Sequence, residues 1–145
     1  MYDRAVVPSK PPVQLRDGEL CGLLGAVSKS VDRHIRGVAE RFDLTAPQVI
    51  ALRELQEPRT LRALAEQMHC EASNATFVAD RLEQMGLLER RPHPTDRRAK
   101  LLHLTPEGAA LRKRVVKQVY TDSPLGRLSD EQQLALRDLL LHASD

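Results

Sequence analysis

Apolar residues recur every three or four positions from about Asp17 to Phe42: Leu20, Leu24, Val27, Val31, Ile35, Val38 and Phe42. That spacing places them on one stripe of a long helix. At 1.5 Å per residue, a helix of roughly 25 residues is about 37 Å long. One small domain struggles to cover a stripe of that length, so a second subunit is its natural cover. Residues 1–15 carry three prolines and no periodicity and read as a loose arm.

Capping signals then divide the chain. Thr45-Ala46-Pro47-Gln48 has a Thr at the cap, a Pro in the first turn and a Gln at the third helical position, which is a capping box. It opens a helix through about Leu55, with Val49, Ile50, Leu52 and Leu55 inward. Glu57-Pro58-Arg59 breaks that helix, because Pro disfavours the helical conformation at the residue before it. Thr60 caps a short helix, Leu61–Met68, with Leu61, Leu64, Ala65 and Met68 inward. His69-Cys70-Glu71 is a brief turn. A further helix runs from about Ala72 to Met85 and stops at Gly86, where a left-handed residue closes a helix. Thr105-Pro106 starts another helix on Leu111, Val115, Val116 and Val119, which Asp122-Ser123-Pro124 ends. Ser129-Asp130-Glu131-Gln132 is a second capping box, opening a Leu-rich helix to about His142. No internal repeat is present.

Between the helices ending near Met85 and starting near Pro106, the period changes. Leu87–Arg90 and Lys100–Leu104 are strand-like and flank a turn-rich tip containing Pro92 and Pro94. Arg90, Arg91, Arg97, Arg98 and Lys100 face only Glu89 and Asp96 there, a local excess of +3 in a chain of net charge +2. A projecting hairpin with a cationic tip suits a grooved, negative surface, and duplex DNA is the obvious candidate. A solvated hairpin would carry the same charges.

The pair of helices before the hairpin favours DNA. A short helix, a tight turn and a second helix form a helix-turn-helix, with Leu61–Met68 supporting and Ala72–Met85 presented. Ala72, Ala75, Val78, Ala79, Leu82 and Met85 lie on or beside the inner face. Ser73, Asn74, Thr76, Phe77, Asp80 and Arg81 lie outside. Small hydrogen-bonding side chains near a helix start can approach base edges, and Asn can pair bidentately with adenine. Phe77 either meets a thymine methyl or packs on a neighbouring loop. Arg81 either contacts phosphate or pairs with Asp80 or Glu83. Thr60 can present its hydroxyl and backbone N–H groups to phosphate, besides capping its helix. At the tip, Asp96 and Arg98 are two apart, so an extended chain projects them to one side. There the carboxylate can orient a weakly hydrated guanidinium for a narrow minor groove. Asp96 could instead be a turn residue bonding its own backbone. Arg97 points elsewhere and can take phosphate.

Composition narrows the alternatives. With 145 residues, 41% apolar and 29% charged, the chain fits one soluble globular domain. Aromatics are 3% with no Trp, too few for single-strand stacking platforms. There is no secretory apolar region and no long apolar run, so no membrane association and a cytoplasmic, nucleoid-associated location are expected. No Gly-rich phosphate loop, nucleophile elbow or acid–base pair marks an enzyme, and no cofactor is expected. The histidines, His34, His69, His93, His103 and His142, include no i, i+4 pair, so no metal site is expected either. Cys21 and Cys70 form no disulfide framework. Cys21 sits among leucines on the first helix, where an inert buried thiol is the default.

With these residues in place, Asp17–His142 resembles the MarR family of bacterial winged helix-turn-helix regulators. The order from Leu82-Glu83 through Gly86-Leu87, Arg90, Asp96-Arg97-Arg98 and Leu104-Thr105 to Gly108 carries the likeness. It implies a fold that is mainly α with a small β-hairpin wing: a winged helix-turn-helix over 45–105, with dimerisation helices at 16–43 and 106–145, all in one domain of residues 16–145. It implies a homodimer that binds a double-stranded DNA operator. The recognition-helix residues would be Ser73, Asn74, Thr76, Phe77 and Arg81, and the wing residues Asp96, Arg97, Arg98 and Lys100. Thr60 and Arg90 would contact phosphate. Family members commonly act as repressors and release DNA on binding a small aromatic or phenolic effector, or on cysteine oxidation. Cys21 lies near the reactive thiol of peroxide-sensing members, but their neighbouring tyrosines are missing, since Tyr2 and Tyr120 lie elsewhere. The position after Thr76, often basic in the family, is Phe77. The stretch from Thr105 to Ser129 is shorter than in many members. The competing reading is a winged-helix adaptor that binds protein and no DNA.

Overall fold

The computed structural model describes residues 13–144, with side chains from Arg16 onward. The elements run α1 (Val13–Arg41), α2 (Ala46–Glu54), β1 (Arg59–Thr60), α3 (Leu61–Met68), α4 (Ala72–Gln84), β2 (Leu88–Pro92), β3 (Lys100–Leu104), α5 (Pro106–Tyr120), a 3-10 turn (Pro124–Arg127) and α6 (Asp130–Ser144). The fold is mainly α with a small antiparallel sheet, as the periodicities indicated.

The caps act as their sequences require. The Gln48 N–H donates to Thr45 Oγ1 (3.3 Å), and the Thr45 N–H donates back to Gln48 Oε1 (3.0 Å). Ser129 and Gln132 repeat that exchange at α6. Thr60 accepts from the Ala63 N–H and Thr105 from the Gly108 N–H. Each such cap contributes about 1 kcal/mol to its helix.

Besides shifts of one or two residues at helix ends, three features differ from expectation, the first being β2, which runs Leu88–Pro92 in place of Leu87–Arg90 and takes Pro92 out of the tip. α1 begins at Val13, so the last three residues of the expected arm are helical; residues 1–12 lie outside the described part. Periodicity marks where an apolar stripe starts, which need not be where the helix starts. The sheet also has a third strand, in the order β1-β3-β2. Arg59 pairs with Leu102 and Thr60 with Leu101, on the far side of β3 from β2. A two-residue strand carries no period, so Glu57-Pro58-Arg59 shows only as a helix breaker.

The core gathers around α2, whose Val49, Ala51 and Leu52 are fully buried and which packs against α1, α3, α4 and α5. A helix enclosed on so many sides has no polar face to betray its inner one, so periodicity does not mark Ala51 as buried. Leu64, Leu82, Leu88, Leu102 and Val115 complete the centre.

The stripe of α1 splits in two. Ile35 and Val38 are buried in the core, whereas Leu20, Leu24 and Val27 are 59%, 50% and 44% exposed. No residue of α6 is buried, and Leu134, Leu139 and Leu141 stand open to solvent. This chain therefore leaves uncovered about two turns of apolar α1 and most of apolar α6, a larger apolar exposure than isolated domains usually tolerate. Among the described residues no helix is long and apolar enough to cross a membrane.

Candidate nucleic-acid interface

The turn between α3 and α4 is built without glycine. His69 closes α3 in the left-handed region (φ 53°), its N–H reaching Ala65 O and Glu66 O, while the Cys70 N–H returns to Ala65 O at 3.1 Å. α4 then packs Ala75, Val78, Ala79 and Leu82 into the core. Small residues at 75 and 79 let the helix lie close to its support. Ala72 and Met85, expected on or beside the inner face, are exposed at the two ends of the helix.

Ser73, Asn74, Phe77, Asp80 and Arg81 form the exposed face. Thr76 is half-buried, and its hydroxyl donates to Ala72 O at 2.8 Å, one turn back on its own helix. Phe77 is 61% exposed, with the Arg81 guanidinium 5.3 Å from its ring centre. A cation held over an aromatic face keeps both side chains presented together. The expected pairing of Arg81 with Asp80 or Glu83 does not form. Neighbours one or two positions apart on a helix do not face each other.

Those two carboxylates instead hold Arg90 of β2. Arg90 Nη2 donates to Asp80 Oδ1 at 2.7 Å, and Nη1 donates to Glu83 Oε2 at 2.8 Å. The hydrogen bonds that Arg90 donates to Asp80 and Glu83, with the charges of both carboxylates, raise its pKa further against partial desolvation. Where a phosphate contact was expected, Arg90 has two carboxylate partners. Arg91 likewise pairs with Glu89 on the same strand. Of the five basic residues of the hairpin, only Arg97, Arg98 and Lys100 are exposed and free of ion pairs among the described residues.

The tip is a compact turn, and this corrects the extended geometry expected for Asp96 and Arg98. The Asp96 carboxylate accepts the backbone N–H of Arg98 at 3.0 Å and forms no ion pair with its guanidinium. Asp96 is thus the turn-forming residue of the two alternatives, and it orients Arg98 through the main chain. His93 adds a device that the sequence concealed. Its Nδ1 accepts the N–H groups of Thr95 (3.2 Å) and Asp96 (3.0 Å), as an Asn or Asp side chain does in such turns. Among the described residues no three His, Cys, Asp or Glu side chains gather as a metal site.

The base of the hairpin is fixed on its other side. The Thr105 hydroxyl donates to Gly86 O (2.7 Å) and the Thr105 N–H to Leu87 O (3.1 Å). Gly86 takes φ +74° there. Thr60 is half-buried; its hydroxyl caps α3 while its backbone pairs in the sheet, tying the supporting helix to the hairpin. Far from this face, Cys21 is exposed on α1, contrary to the buried thiol expected, while Cys70 is half-buried. Tyr120 is exposed on α5, and Tyr2 lies outside the described residues.

The MarR family model matches residues 44–100, the segment from α2 to the start of β3. The organic hydroperoxide resistance transcriptional regulator of Bacillus subtilis (strain 168) is 31% identical over 126 residues, covering 86% of this chain and 86% of the relative. A mutant MarR from E. coli complexed with operator DNA superposes with a TM-score of 0.71 at 25% identity, covering 92% of this chain and 99% of that one. A structure describing regulation of DNA binding of Bordetella bronchiseptica BpsR by 6-hydroxynicotinic acid superposes with a TM-score of 0.67 at 27% identity, covering 86% and 91%.

Proposed function

The chain belongs to the MarR family of transcriptional regulators, and on that premise we propose that it is a homodimeric repressor that binds a double-stranded operator and releases it when a small aromatic or phenolic effector binds. One observation carries this reading. The exposed face of α4 and the unpaired Arg97, Arg98 and Lys100 project from a single braced unit of helix and hairpin. In this reading α4 enters the major groove. Asn74 and Ser73 address base edges, and Phe77 meets a thymine methyl while its Arg81 partner reaches phosphate. Arg98, presented by Asp96, enters the minor groove; Arg97 and Lys100 take phosphates. Thr76 contributes its methyl, since its hydroxyl proton is donated to Ala72 O.

The exposed apolar parts of α1 and α6 support the second copy. Two recognition helices one DNA turn apart, roughly 34 Å, then read a near-palindromic site. An open groove of about 630 Å³ between α1 and α6, lined by Val27, Pro124, Leu128, Leu136 and Leu139, offers an effector a place in that seam. A shift of about 1–2 Å there would misalign both helices. The protein would work on the nucleoid.

The test is a duplex-binding titration against salt, using a site selected by the protein from a randomised pool. A log–log slope of several units, with the selected duplex preferred over random DNA, is the expected result. An absence of duplex binding at low salt overturns the proposal and favours the protein-binding adaptor.

A thiol-responsive variant is favoured by the exposure of Cys21 and by the relative named for organic hydroperoxide resistance. Under it, cumene hydroperoxide releases DNA from the native protein and fails to release it from Cys21→Ser. A Cys21→Ser protein that responds like the native one removes Cys21 from consideration.

A further inference from the structure

We propose that Arg90 is a positioning residue that locks the recognition helix and the wing into one reading head, so that the wing contributes to DNA binding only while the Asp80–Arg90–Glu83 clasp is closed. This rests on the DNA-binding reading above and adds a mechanical part to it.

The need for a clasp follows from the connection. Only Met85, Gly86 and Leu87 separate α4 from β2, and Gly86 holds a left-handed conformation between them. A hairpin is only marginally stable by itself. The third strand pairs with β3 at just Leu101 and Leu102, in the middle and tip-side part of the hairpin, and leaves the outer edge of β2 unpaired. The hairpin projects roughly 15 Å at about 3.3 Å per residue, so a swing of about 10° at its base carries the tip about 3 Å. A hydrogen bond to a base or phosphate tolerates a few tenths of an ångström. The Thr105 bonds and the β1 pairing restrain the hairpin from the β3 side, and β2 needs a restraint of its own toward α4.

Arg90 lies at the middle of β2, opposite Leu102 of β3, and reaches across to α4. Asp80 and Glu83 are three residues apart, which puts both on the side of α4 that faces the hairpin. One planar guanidinium spans them, with a different terminal nitrogen on each. Two anchors on a rigid fork fix the orientation of the strand as well as its distance, and an ammonium offers no such fork. The Arg90 side chain is 25% exposed, the least open of the three. The clasp also accounts for two acidic residues on a helix that approaches a polyanion. Their charge is spent on Arg90, which in turn is withdrawn from the cations available to DNA.

The experiment is a double-mutant cycle between Arg90 and the wing, which do not touch. Affinity for a duplex selected by the native protein is measured for native protein, Arg90→Lys, the triple wing variant Arg97→Ala/Arg98→Ala/Lys100→Ala, and their combination. The wing triple is expected to weaken binding by at least tenfold in the native background. In the Arg90→Lys background the same triple is expected to cost less than about threefold, because an unclasped wing has little left to lose. Equal factors in both backgrounds overturn the proposal and make Arg90 an independent contact or a fold-stabilising residue. A native protein indifferent to the wing triple overturns it also. If Arg90→Lys fails to fold, Asp80→Asn/Glu83→Gln opens the clasp from the other side. That pair removes negative charge and frees Arg90, so simple electrostatics expects tighter binding, whereas the clasp expects loss of wing sensitivity. A native protein that binds no duplex at low salt is a different result: it sinks the DNA reading itself before the cycle begins.

Discussion

Replacing Gly108 by alanine sets two physical effects of opposite sign against each other. Gly108 lies in the first turn of α5, where alanine's helix propensity would favour it by about 1 kcal/mol. Yet a Cβ built there would stand 1.9 Å from Leu87 O and 2.9 Å from its carbonyl carbon. The ordinary distance for such a carbon–oxygen approach is about 3.3 Å, so the two backbones must part by about 1.4 Å. The obstacle is main chain on both sides, and no rotamer relieves it. Overpacking of this kind costs roughly 1–3 kcal/mol. The separation also loosens the hydrogen bonds from Thr105 to Leu87 O and Gly86 O, worth about 1 kcal/mol each. Sterics wins, and Gly108→Ala should destabilise the protein by about 3 kcal/mol. For a chain of this size that lowers Tm by roughly 10 °C. The assay is thermal unfolding followed by circular dichroism at one fixed protein concentration, since subunit association would link Tm to concentration. Gly37→Ala is the control. Gly37 is exposed within α1 with nothing within 4 Å of its built Cβ, so there propensity alone should act and raise stability by up to about 1 kcal/mol. A Gly108→Ala protein as stable as the native one would refute the claim that the wing base is packed backbone to backbone.

Other consequences can be checked separately. Arg98→Ala should weaken duplex binding by about 1–3 kcal/mol with no change in Tm; equal affinity at one salt concentration defeats the wing assignment. Asn74→Ala should reduce preference for the selected site more than affinity for random DNA, and an equal fall in both leaves Asn74 a positioning contact only. Leu24→Glu should turn the proposed dimer into monomer in analytical ultracentrifugation, because it buries a charge in the proposed seam; a dimer that survives places the interface elsewhere. His93→Ala should weaken DNA binding while His93→Asn restores it, since an amide oxygen can take over the N–H groups of Thr95 and Asp96. Failure of the Asn variant to rescue would mean that the ring acts other than as a turn acceptor.

Much of the architecture was legible because it is governed by local rules. Thr45, Thr60, Thr105 and Ser129 each begin a helix for a reason contained within the next three residues, and all four caps form. Helix α3 and strand β3 fall at Leu61–Met68 and Lys100–Leu104, the spans their patterns outline. The basic hairpin tip was visible as a charge count. What that count missed was who neutralises whom. Arg90 and Arg97 look alike in a sequence, but one lies beside Asp80 and Glu83 across ten and seven positions and the other faces solvent. The same holds for Asp96, whose carboxylate turned to the main chain once the tip curled.

What the sequence by itself determined is the set of elements and their kind. Hydrophobic period, caps and breakers act over a few residues, and a helix-turn-helix followed by a cationic hairpin is written in those terms. Only the tertiary structure decided which of two like residues is occupied and which is free, where α1 leaves the core, and why position 108 tolerates no side chain. Those outcomes depend on distances between segments remote in the chain, such as Leu87 against Gly108 or β2 against α4, and no local pattern encodes such a distance.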